Sequence, residues 1–257
     1  MSALRDPRAS STPSGRDRSD GPRSIGAIAV ELSRAALADA VSTLMPVACA
    51  GCGRPDLAIC PVCRAAIAAA RPVEVSRAGL RVHAGLEYGG VAAALIGAFK
   101  DGGRADASRV LAPALAASIR AALSGIPRGS AGARGAGILV ATVPSTRAAL
   151  MARGYRPVPM LLAACGLRAM PVLRLARDRD DQAGLGAAAR AANAEGGLVA
   201  RERLDGRRFL LVDDVLTTGS TLLEARRALV AAGASVEALA VLAETPLRLG
   251  RRSGSSR

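Results

Sequence analysis

The sequence predicts an α/β fold, a parallel sheet with helices on both faces, joined to a small N-terminal zinc-ribbon-like module built on four cysteines. Three observations carry this. Residues 209–212 are an uninterrupted apolar run, Phe-Leu-Leu-Val, followed by Asp213, Asp214, a small-residue turn and a stretch of helical periodicity from Leu222 to Leu229. Apolar strand-like runs alternate with helical patterns from about residue 80 onward, which is the signature of a parallel sheet. Cys49, Cys52, Cys60 and Cys63 form a C-x2-C-x7-C-x2-C array.

Each element follows from local pattern. Residues 1–24 are Ser, Pro, Arg, Asp and Gly without apolar periodicity and are expected to be a disordered tail. Residues 25–45 read as an amphipathic helix ending before Pro46. The cysteine module follows, with a short helix over 64–70, so that 25–72 forms one unit with its own core. A larger domain spans 78–245. In it, 81–88 alternates as a strand, and 91–100 and 108–123 are helices separated by the turn Asp101-Gly102-Gly103. The Gly-, Ala- and Arg-rich 125–137 is a loop. Strands are expected at 138–143 and 171–175, a helix at 158–167, and strands at 209–212 and 235–243 around a helix at 219–232. Residues 246–257 are a basic tail. Gly184-Leu185-Gly186-Ala187-Ala188-Ala189 matches G-x-G-x-x-A, but no strand precedes it, so it is not a dinucleotide fingerprint.

Composition narrows the class. The 257 residues carry 35 basic and 21 acidic side chains, a formal charge of +14, and Lys100 is the single lysine. The excess charge attracts polyanions. Aromatics are only 2%, so the core is built from Leu, Val, Ile and Ala, and base-stacking platforms for single-stranded DNA are disfavoured. Glu31, Arg34 and Asp39 interrupt the N-terminal apolar stretch, which excludes a transmembrane helix there. No secretory leader pattern is present, and a cytoplasmic location with reduced thiols is expected.

The 209–221 segment carries the chemistry. A strand–loop–helix gathers backbone N–H groups and the positive end of a helix dipole around one point, which suits a phosphate. Thr217, Thr218, Ser220 and Thr221 add hydroxyls, and Gly219 lets the loop close tightly. Two carboxylates beside a phosphate site would repel the anion, but they can accept hydrogen bonds from vicinal sugar hydroxyls. The combination reads as a ribose-5-phosphate site. A receiver-type acidic pocket would need a later Asp and Lys, and none follows Asp214. In the cysteine array, four thiolates would close a tetrahedral structural Zn2+ site. Paired disulfides, a redox C-x-x-C and an iron–sulfur cluster are the alternatives by ligand type. Cys165 reads as a core residue and His83 as a structural one.

Over residues 209–221 the chain resembles the type I phosphoribosyltransferases. The resemblance implies that Asp213 and Asp214 hold the ribose hydroxyls of 5-phosphoribosyl 1-diphosphate (PRPP), bound with Mg2+. The loop Val215, Leu216, Thr217, Thr218, Gly219, Ser220, Thr221 would cradle the 5-phosphate. The order of the cysteine module, Tyr88…Lys100, Val143-Pro144-Ser145…Arg153-Gly154-Tyr155, Gln182…Leu185…Arg190…Asn193 and this loop resembles the ComF family, GntX-like members included, over about residues 40–244. That resemblance implies a role in competence and DNA uptake, with DNA-uptake proteins such as a helicase, single-stranded DNA and a second copy of the chain as partners to consider. Catalysis would displace pyrophosphate from C1 of PRPP by a nitrogen acceptor, with Arg153 and Lys100 beside the leaving group. The family pattern departs at Arg156-Pro157, expected to alter the pyrophosphate loop, and at Arg179 in the catalytic loop. Three classes stand open: a phosphoribosyltransferase, a non-catalytic PRPP-binding adaptor of the DNA-uptake machinery, and a protein binding DNA directly.

Overall fold

In the computed structural model, residues 47–126, 137–176 and 197–246 are described. The 25–45 helix, both tails, most of the 125–137 loop, Arg179, Gln182, Asn193 and the Gly184 motif lie outside them. The main sheet has five strands, Val73–Arg77 (β1), Leu80–Glu87 (β2), Leu139–Thr142 (β3), Arg208–Leu216 (β6) and Ser235–Glu244 (β7), in the order β1-β2-β7-β6-β3. All neighbours run parallel except the β1–β2 hairpin. Helices are Pro61–Ala69 (α1), Gly90–Lys100 (α2), Ser108–Ser124 (α3), Arg147–Arg153 (α4), Pro157–Ala164 (α5) and Ser220–Ala231 (α6). Among the described residues no helix is long and apolar enough to cross a membrane.

The apolar run in β6 is buried on both sides, which explains why it is continuous rather than alternating. Leu210 and Val212 face a core completed by α2, α3 and α5, whereas Phe209 and Leu211 face one completed by α6. The α/β fold with helices on both faces is therefore as the sequence predicts.

Three features differ from the sequence reading. The strand expected at 171–175 is only Leu173–Leu175 (β4), and it leaves the main sheet to pair antiparallel with Leu198–Ala200 (β5). Pro171 offers no N–H there, and the edge of β3 is met only by a single bridge between Ala141 and Met170. β6 extends to Leu216, so the acidic pair lies within the strand rather than after it. Among the described residues the cysteine module shares its core with the sheet. Cys49, Ile59, Cys60, Cys63 and Ile67 share one buried cluster with Leu95, Phe99 and Leu210, because the module is too small to bury apolar side chains alone. Arg104 fastens it further, donating to the carbonyls of Ala48 at 3.2 Å and Ala58 at 2.7 Å while bound to Asp106.

Candidate active site and metal centre

The chain leaving β3 turns to α5 on one face of the sheet, and the chain leaving β6 turns to α6 on the other. Diverging connections open a crevice at the C-terminal ends of adjacent parallel strands, the usual ligand position in such sheets. A cleft of about 240 Å³ lies there, lined by Val143, Pro144, Ser145 and Thr146 after β3, by Arg153, and by Asp213, Asp214 and Thr221.

Strand alternation separates the two carboxylates. Asp214 turns toward α2, where the Lys100 ammonium lies 3.0 and 2.9 Å from its two oxygens. That cation offsets one of the charges that would repel a phosphate. Asp213 is half-buried, and its Oδ1 accepts the Asp214 N–H at 2.9 Å. Burial, then the Asp214 charge, push its carboxyl up to about 7, against the opposing pull of that N–H and of Lys100.

After β6 the chain passes through Thr217 and Thr218, both exposed, to Gly219, which precedes α6. Gly219 has φ +86°, and a Cβ there would stand 3.1 Å from the Arg77 Cβ. Both facts require glycine. The first N–H groups of α6 have no partner within the helix, and the Thr218 and Ser220 hydroxyls, 3.0 Å apart, edge the same turn. This is a surface for an anion.

The C-terminus of α2 organises the opposite wall. Phe99 offers its carbonyl to the Tyr155 hydroxyl and its ring to the Tyr155 ring at 5.5 Å, Lys100 holds Asp214, and Asp101 holds Arg153 at 3.0 Å. Three consecutive residues thus tie the acidic pair to the 153–155 turn. Arg153 lines the cleft and Lys100 lies beside Asp214, each paired with a carboxylate. Pro157 does not distort the turn; it is buried at the start of α5, where a missing N–H costs nothing, with Arg156 as N-cap.

Sequence reasoning missed Arg77, Glu244 and Asp101. Arg77 reaches from β1 to Glu244 at 2.8 Å and to the Thr245 carbonyl at 3.2 Å, directly under Gly219. No local pattern announces a contact between residues so far apart in sequence. Asp101 was legible only as a turn residue.

In the module, one sulfur from each of Cys49, Cys52, Cys60 and Cys63 lies within 4.8 Å of every other. The Cys52 and Cys60 sulfurs are 3.7 Å apart, close to the roughly 3.8 Å that tetrahedral geometry gives for metal–sulfur bonds of about 2.3 Å. Backbone N–H groups of Cys60 and Cys63 point at the sulfurs of Cys49 and Cys60 at 3.3 and 3.5 Å. The first of these donors is the main reason the Cys49 thiol falls to about 6, whereas burial raises Cys63 to about 12. Gly51 lies against the site so closely that a Cβ would meet the Cys63 sulfur at 2.8 Å. The donor set fits one metal ion and is consistent with a zinc module.

Residues 150–254 match the family model of the phosphoribosyl transferase domain, a span that takes in β6, the anion loop, α6 and β7. No curated protein matches the chain. Sheet, crevice and the match over 150–254 together give a mostly parallel α/β fold with a phosphoribosyl transferase-like domain, preceded by a four-cysteine cluster that fits a metal ion.

Proposed function

We propose that the protein binds PRPP with Mg2+ in the β3–β6 crevice and transfers its phosphoribosyl group to a nitrogen acceptor. One observation carries the reading: an acidic pair near the end of the interior strand β6 is followed by a short loop and a glycine-initiated helix N-terminus, in the crevice where connections diverge. Asp213 and Asp214 accept from the ribose hydroxyls, residues 215–221 cradle the 5-phosphate, and Arg153, which lines the cleft, and Lys100, bound to Asp214, meet developing charge on the leaving group. The C1–O bond to pyrophosphate breaks with its electron pair on oxygen. The acceptor nitrogen forms the new C1–N bond and releases its proton to the medium. Such a loose transition state needs positioning and charge stabilisation more than a strong base. Mg2+, when bound, supplies charge neutralisation for pyrophosphate and ribose oxygens. Zinc is the reading of the four-sulfur site that its ligand type and closed geometry favour. The ComF resemblance supports a cytoplasmic role in DNA uptake.

Calorimetric titration with PRPP and Mg2+ tests the site. Replacing both carboxylates, Asp213→Asn with Asp214→Asn, is expected to weaken binding by roughly 2–5 kcal/mol, the scale of lost charge-assisted hydrogen bonds. Unchanged affinity would remove the carboxylates from the ribose site. Pyrophosphate release with candidate acceptors then separates a transferase from a PRPP-binding adaptor.

A further inference from the structure

The wall formed by Val143, Pro144 and Ser145 has a second side. Beyond it lies a cavity of about 600 Å³, bounded by α4, α5 and the β4–β5 ribbon. Five of its lining residues are arginines, Arg147, Arg156, Arg168, Arg174 and Arg201, and none is acidic. All five are exposed. Among the described residues none of them has a carboxylate partner, and Arg174 makes only a 3.4 Å bond to the Leu175 carbonyl.

An arginine-rich composition does not explain the cluster. Several guanidinium groups elsewhere are paired, as at Arg77, Arg104, Arg153, Arg203 and Arg227, and two without a carboxylate partner among the described residues, Arg81 and Arg226, share their cavity with glutamates. The neighbouring cavities mix signs as well: one sets Glu74 and Glu237 beside Arg81 and Arg226, another sets Glu202 beside Arg203. The cavity behind Pro144 gathers five cations with no carboxylate in its lining. They come from five different segments, so the fold and not a basic run in the sequence gathers them.

We propose that this cavity receives the phosphate-bearing part of the acceptor, so that the acceptor is a phosphorylated small molecule rather than a free base. The inference rests on the transferase reading of the adjoining cleft. A neutral base gains nothing from five guanidinium groups, whereas a phosphate monoester can be held by their paired N–H donors. Leu150, Pro159 and Leu173 supply apolar surface for the rest of the molecule, and the volume is within the range of small-ligand sites. The nitrogen end reaches over Pro144 and Ser145 toward the ribose. A single-stranded nucleic acid is the poorer occupant, because no aromatic ring lines the cavity for stacking.

Calorimetry on the full chain decides this with four probes, adenosine monophosphate, adenosine, inorganic phosphate and a short single-stranded oligonucleotide, while PRPP binding is measured separately. Adenosine monophosphate is expected to bind at least about tenfold more tightly than adenosine or inorganic phosphate. The triple variant Arg147→Gln, Arg168→Gln, Arg174→Gln should abolish that advantage and leave PRPP affinity unchanged. Equal binding of nucleotide and nucleoside overturns the proposal, as does a nucleotide advantage that survives in the variant. Inorganic phosphate binding as tightly as the nucleotide makes this a free-phosphate site and removes the acceptor role. Oligonucleotide binding without mononucleotide binding replaces it by a nucleic-acid surface. If PRPP fails to bind while the arginine-dependent nucleotide site persists, the transferase reading falls and the acceptor role falls with it.

Discussion

Asp213 sits where its charge is opposed by both burial and a neighbouring carboxylate, so its proton leaves near pH 7 rather than near 4. Around it stand Asp214, Lys100 and Arg153, and of these only Lys100 is near enough to Asp214 to offset its field directly. Ribose hydroxyls donate, so the ionised form is the one that accepts from them fully. PRPP affinity is therefore expected to rise by roughly tenfold between pH 6 and 8, one unit of pKa being a factor of ten. In Asp213→Asn the titration should vanish, and a flat wild-type profile would show that this carboxyl does not face the sugar. Stability runs in the opposite direction. A folded pKa above the unfolded one contributes stability that is complete below about pH 4 and is lost as pH rises through about 7. The ligand-free protein should accordingly melt at lower temperature at pH 8 than at pH 5, by an increment that Asp213→Asn removes. The residue thus trades stability for an acceptor placed where the ligand needs it.

At the scale of elements, the hairpin β1–β2 and the end of α2 decide whether the anion loop is held. Arg77, at the end of β1, lies under Gly219 and binds Glu244 with both side chains about one-tenth exposed. Removing one partner of a buried pair leaves the other charge without compensation. Arg77→Ala should cost about 3–5 kcal/mol in denaturant unfolding and weaken PRPP binding as the loop loses its floor. Glu244→Gln should be milder, since the amide keeps an acceptor for the guanidinium; equal losses in the two variants would argue against an ionic role. How much of this was legible depends on range. The β6–loop–α6–β7 unit was readable, because a doubly buried strand is a continuous apolar run and the helix after it carries its own period. β1 was missed because its alternation has only two apolar residues, Val73 and Val75, and Val73 is exposed. α4 escaped because none of its residues is buried, and β5 because three residues carry no period. The four cysteines were legible as one ligand set from spacing alone. The partners of Lys100, Arg153 and Arg77 were not, since they are made by tertiary contact.

At the scale of the molecule, the metal module and the ligand cleft are joined through α2. Ile59 and Ile67 of the module pack in the same core as Leu95 and Phe99 of α2, and Gly51 brings the four-sulfur site against Val91 at its start. The far end of that helix carries Lys100 and Asp101, which hold Asp214 and Arg153. A sequence reading that treats the module as a separate core expects the cleft to survive its loss. The shared core predicts otherwise. Without the cation the four sulfurs lose the bonds that would hold them together, and a module this small owes its order to the metal. Stripping the ion with a chelator, or replacing it by Cys60→Ser, should uncover one side of α2 and let its C-terminus shift. The expected outcome is a lower melting temperature for the whole described unit together with PRPP affinity reduced by roughly tenfold, about 1.4 kcal/mol. Restoring Zn2+ should reverse both in the chelated protein and neither in the Cys60→Ser variant. The two readouts separate the possibilities: a lost module transition with unchanged PRPP affinity would mean that the cleft stands on its own sheet, whereas joint loss and joint recovery would show that the metal supports the site by way of Lys100.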